Sequence, residues 1–165
     1  MALSKKRLKF TLILHLLIAF LMAAKLTPTV LDLLNVFLQP IEELYIPMAK
    51  PWEWVWFFSV LPVALAFRSI RTNNLLQLKI FLSAILVTCI CPLMYCAYLY
   101  ANDFRTYVIT KDETKTSEVW RNLPVALYWY IFIGVSCQVH GFELYFGYEL
   151  IRSMSSHRSQ TNKSK

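Results

Sequence analysis

Three ionisable side chains stand inside apolar stretches of this sequence, where such groups are costly and mark functional positions by default. His15 lies in the uncharged run from Phe10 to Ala24, and His140 and Glu143 sit three residues apart near the end of another run. On a helix that i, i+3 spacing sets imidazole and carboxylate side by side. If the two runs cross a bilayer in opposite directions, all three groups reach a similar depth. Such a cluster has two chemistries open to it. It can hydrogen-bond between helices and fix their packing, at about 1 kcal/mol per bond, or it can hold a proton or a metal ion. Two histidines and a carboxylate suit zinc in principle, but no His-Glu-x-x-His or comparable spacing accompanies them. The packing reading is favoured.

The remaining reactive residues carry less. Cys89, Cys91, Cys96 and Cys137 all lie in apolar stretches and read as small packing groups. Cys89 and Cys91, two apart, point to nearly opposite sides of a helix and cannot clip a metal between them. Gln77, Asn102 and Gln138 read as helix-end or inter-helix partners. No Ser-His-Asp spacing, phosphate-binding loop or paired-acid motif occurs within the apolar runs. The expectation is a protein that is not an enzyme and carries no cofactor or resident metal.

The elements that must position these groups follow from composition. Of 165 residues 57% are hydrophobic and 16% charged, against about 45–50% and 25% in soluble domains. The predicted class is all-α: a polytopic membrane protein with four transmembrane helices. The spans are expected at about 10–26, 52–67, 80–101 and 123–143, within a membrane domain of residues 10–151. The first run is fifteen residues long, short of the usual ~20, so Lys25 is expected to snorkel to the headgroups. A cleaved signal peptide shares the basic start and apolar core, but Met22 is the wrong residue three before a cut after Ala24. Thr27-Pro28 reads as a helix restart. Asp32, Asn35 and Gln39 then fall on one stripe, predicting a short interfacial amphipathic helix on the lumenal side. Trp52, Trp54 and Trp56 look like an interfacial belt at the second span, and Pro62 and Pro92 predict kinks. Asn102–Asn122 reads as a charged loop. Residues 152–165 read as a basic, disordered cytosolic tail.

Charge sets direction. The net charge of +7 lies in short clusters beside apolar runs, which fits topology signals and anionic lipid rather than nucleic acid. The basic N-terminus (residues 1–9), the turn holding Arg68, Arg71, Asn73 and Asn74, and the tail together carry eleven of the seventeen Lys and Arg. Both termini are therefore expected in the cytosol. Short spans suit the thinner endoplasmic reticulum (ER) bilayer. Lys163 and Lys165 give a partial dilysine signal, since residues 161 and 162 are Thr and Asn. Asn162-Lys163-Ser164 is a glycosylation sequon that a cytosolic tail would leave unmodified.

Five pieces in register resemble the Jagunal family: Pro47-Met48 with Trp52-Glu53-Trp54, Ser59-Val60-Leu61-Pro62, Arg71-Thr72-Asn73-Asn74, Cys91-Pro92-Leu93-Met94-Tyr95, and Gln138-Val139-His140-Gly141-Phe142-Glu143-Leu144-Tyr145. The resemblance runs from about Leu8 to Ile151. It implies a four-span ER protein acting in ER organisation and early vesicle traffic through protein partners, with a COPI-type vesicle coat reached through the tail. The missing second lysine departs from that pattern, and the Asn102–Asn122 loop diverges. Other ER membrane proteins are further candidate partners, as is a homo- or hetero-oligomer. The competing reading is a small oligomeric channel or lipid carrier built around His15, His140 and Glu143.

Overall fold

A computed structural model describes the backbone of residues 2–163 and the side chains of residues 2–156. About 81% of the chain is helical. Helix α1 spans Ala2–Leu33, α2 Gln39–Glu42, α3 Pro51–Phe57, α4 Val60–Thr72, α5 Leu75–Ile85, α6 Cys91–Leu99, α7 Ala101–Thr110 and α8 Val125–Lys163. A π-helical turn, Leu86–Ile90, joins α5 to α6, and a two-stranded hairpin, β1 (Val119–Trp120) and β2 (Leu123–Pro124), precedes α8. Four helical stretches are long and apolar enough to cross a membrane: Ala2–Leu33, Pro51–Thr72, Leu75–Leu99 and Val125–Ser156.

Helix α1 lies most extensively against α8, α4 against α5, and α5 against α8. The buried core threads all four spans, from Leu8 and Leu12 through Trp56 and Val63 to Phe81, Ile85, Leu93 and Leu150. Their outward faces are just as apolar. Phe10, Leu17, Phe20, Leu21, Val87, Met94, Ile131 and Phe142 are exposed, Phe20 to 72%. So much outward apolar surface needs a hydrocarbon solvent.

The two kinks come from proline, each with its own repair. Pro62 cannot donate to the Phe58 carbonyl. That oxygen instead accepts from Leu61 N at 3.1 Å, and the helix breaks at Phe58–Ser59 between α3 and α4. Pro92 sits just after the π-helical turn, whose wider winding makes room for its ring. The break at Ser59 leaves its hydroxyl buried among the spans.

Several expectations are corrected. Thr27 does not cap a new helix: its hydroxyl donates to the Ala23 carbonyl at 2.9 Å, and α1 continues through Pro28 to Leu33. Asn35, at φ 52°, ends α1 with Val36 N bonded to Leu31 O at 3.0 Å, a left-handed stop. The short helix of this connector is therefore α2, displaced from the Asp32–Asn35–Gln39 stripe towards Glu42. Trp52 and Trp56 form no outward belt. Their i, i+4 spacing turns both to the interior, where Trp52 meets Trp129 and Trp56 meets Phe132 edge-on.

The expected Asn102–Asn122 loop holds α7 and the first hairpin strand. Arg121 (φ 52°) and Asn122 (φ 62°) make its two-residue turn, and paired left-handed residues are what such a hairpin requires. The backbone of residues 152–163 is helical, where an irregular tail was expected. Here α8 has no glycine or proline after Gly147 to stop it. The Lys163 side chain and Lys165 lie outside the described residues.

Candidate functional site

Two polar knots tie the bundle together, one mid-span and one at the end opposite the N-terminus. The first is built by the residues singled out in the sequence. His15 from α1 and His140 and Glu143 from α8 are all fully buried. His15 Nδ1 lies 3.0 Å from Glu143 Oε1, and His140 Nδ1 lies 2.9 Å from Glu143 Oε2. A carboxylate only accepts, so both Nδ1 atoms donate, which fixes both imidazoles in one tautomer with Nε2 as a lone-pair donor. The two Nε2 atoms then differ in fate. That of His15 accepts from the Ser59 hydroxyl at 2.8 Å, whereas that of His140 is buried with no partner among the described residues.

Rings close the knot. The two imidazoles stand edge to face at 4.8 Å, and the Trp56 indole lies 5.6 Å from His15 and 5.8 Å from His140. Cys89, from the π-helical turn, completes the setting. Its sulfur and one ring nitrogen of each histidine all lie within 4.8 Å of one another. Sequence reasoning took Cys89 for packing and placed Ser59 among the residues that carry the family resemblance. Neither carries a signal along the chain, because each enters the knot through a proline-driven distortion of its own span. Cys96 is buried away from this group, and Cys91 and Cys137 are exposed on the outer face.

The second knot was not foreseen. Lys25 pairs with Glu53, itself 1% exposed, and so turns inward rather than snorkelling out. Glu53 also accepts from Lys50 N at 3.1 Å at the start of α3. Nearby, Lys50 Nζ bonds Glu118 Oε1 at 2.8 Å and lies 4.6 Å over the Tyr100 ring. Burial works against the Lys50 ammonium, but Glu118 and Tyr100 outweigh it and hold its pKa above the ordinary lysine value. Trp120 Nε1 donates to Leu44 O at 2.9 Å, fastening the hairpin to the first connector. An apolar cleft of about 570 Å³ opens here between Met22, Lys25, Pro47, Trp120 and Trp129. His15, His140 and Glu143 do not line it.

The opposite end is basic. Lys6, Arg7 and Lys9, together with Arg68, Arg71, Asn73 and Asn74, are exposed. Lys5 bonds the Asn73 side chain, and Ser4 Oγ donates to Glu149 Oε1 at 3.0 Å, so the N-terminus, the α4–α5 turn and α8 form one surface. Asn73 caps α4 in the left-handed conformation (φ 53°), and Asn74 Oδ1 accepts from Leu76 N and Gln77 N to start α5.

The Jagunal family, described as acting in ER re-organisation during oogenesis, matches residues 1–158. The chain is 38% identical to protein jagunal of Drosophila pseudoobscura pseudoobscura, over 98% of its own length and 83% of that protein. Identity and coverage are the same for protein jagunal of Drosophila melanogaster. The jagunal homolog of Caenorhabditis elegans is 34% identical over 66% of this chain and 58% of its own length. With four membrane-length helices and a match spanning nearly the whole sequence, the chain belongs to the Jagunal family of ER-associated membrane proteins.

Proposed function

We propose that this protein is a non-enzymatic organiser of the ER membrane that supports early secretory vesicle traffic through protein partners bound at its basic end. The observation carrying this reading is the basic surface on which the N-terminus is bonded both to the α4–α5 turn and to α8 at Glu149. Lys and Arg concentrate there, and by the positive-inside rule this supports a cytosolic position for this end and for both termini. Partners that read it include a COPI-type coat or other ER membrane proteins, with Lys163 and Lys165 as the coat-contacting candidates. The channel or lipid-carrier reading is less well supported. His15, His140 and Glu143 are fully buried within a single chain, and the apolar cleft does not reach them.

Affinity capture in mild detergent tests this. The wild-type chain should retain a coat or ER-export component that is lost, at least fivefold, from Lys163→Ser or from Arg68→Ser/Arg71→Ser. Identical capture by all three chains would contradict a role for this surface.

A further inference from the structure

We propose that His15, His140 and Cys89 form a buried zinc-class metal site, with Glu143 as the shared anchor behind both histidines. This site is independent of the cytosolic surface proposed above and stands or falls separately. Three observations carry it. First, the Cys89 sulfur and one nitrogen from each imidazole already converge to within 4.8 Å of one another, all from buried side chains. Tetrahedral zinc with bonds of about 2.0–2.3 Å holds its ligands about 3.5 Å apart. Closing the gap therefore takes movements of roughly 1 Å.

Second, Glu143 occupies both Nδ1 atoms, which leaves the Nε2 lone pairs as the ligating atoms. A metal-bound histidine commonly donates its other N–H to a carboxylate, which fixes ring orientation and raises ligand basicity. One carboxylate doing so for two histidines on different helices is a second shell already in place. Third, His140 Nε2 is fully buried with no hydrogen-bond partner among the described residues. An orphaned buried acceptor is costly, and a cation is an occupant that removes the cost. His15 Nε2 holds only the Ser59 hydroxyl, which can turn aside or take the fourth position.

Charge decides which ion fits. Binding forms a Zn–S bond as the Cys89 thiol loses its proton to solvent. Zn²⁺, the Cys89 thiolate and the Glu143 carboxylate then sum to zero, as a site within a bilayer demands. The nitrogen and sulfur donors select zinc-class ions over magnesium or calcium. The sequence could not show this set, since its third ligand is Cys89 rather than Glu143 and the three lie on three different spans.

The test uses the full chain purified in mild detergent without a polyhistidine tag. After incubation with zinc chloride and desalting, elemental analysis should find about one zinc per wild-type chain. Cys89→Ser and His140→Gln should each fall at least fivefold below that. The Cys89 sulfur lies 3.9 Å from the Thr88 hydroxyl, so Cys89→Ser can shift stability by itself, but a purely structural knot gives wild type and Cys89→Ser each the same melting temperature with zinc as without it. The metal site instead predicts that zinc raises the melting temperature of wild type and not of Cys89→Ser. Wild type that binds no zinc after loading overturns the proposal, as does Cys89→Ser that retains the wild-type amount.

Discussion

Replacing Glu143 with alanine should lower the unfolding free energy by about 3 kcal/mol, because both bonds to charged acceptors are lost at once, at about 1.5 kcal/mol each. Hydrogen bonds between membrane helices average nearer 0.6 kcal/mol, with a ceiling of about 1.7. The knot belongs near that ceiling, since His15 and His140 are fully buried and left with donors that no water can serve. Glu143→Gln is the graded control. Its amide oxygen can accept from one Nδ1, but its NH₂ can bond the other ring only after that imidazole moves its proton to Nε2, so about half the loss should return. Unfolding in detergent or bicelles, followed by thermal or steric-trapping methods, measures both. A loss below about 0.5 kcal/mol for Glu143→Ala would show that α1 and α8 are held together by packing alone.

The second large effect lies at the other end. Lys25→Met should cost about 3 kcal/mol by leaving the Glu53 carboxylate, 1% exposed, without its cation. Glu53→Gln should cost less, about 1 kcal/mol, because Lys25 keeps 20% exposure and a long stem that can carry its ammonium to the headgroups. The double variant Lys25→Met/Glu53→Gln should cost well under the sum of the two single costs, since each change removes the reason for the other's penalty. Strict additivity would mean that the pair carries no energetic weight. The asymmetry between the singles is the sharper outcome, as it separates a buried carboxylate from a lysine with an exit.

Some of this architecture was readable along the chain. Long uncharged runs announce spans, and the depth argument from opposite chain directions set His15 beside His140 and Glu143 without any motif. The fates of Pro62 and Pro92 were half readable. Proline forecasts a break, but not that Leu61 would satisfy the Phe58 carbonyl or that the distortions would present Ser59 and Cys89 inward. Charges misled where they found protein partners. Lys25 reads as snorkelling until Glu53, 28 residues away, is placed beside it. Trp52 and Trp56 read as a belt because composition does not say which helix face turns inward. The Arg121-Asn122 turn was invisible because it lacks glycine, although its left-handed pair makes a hairpin all the same.

Whether the basic end acts on the ER is tested most directly in cells lacking this protein. ER morphology is imaged after expression of the wild-type chain or of Arg68→Ser/Arg71→Ser/Lys163→Ser, matched for abundance and melting behaviour. The wild-type chain should restore the normal ER network, and the triple variant, though folded and inserted, should not. Full restoration by the triple variant would contradict a role for the basic end.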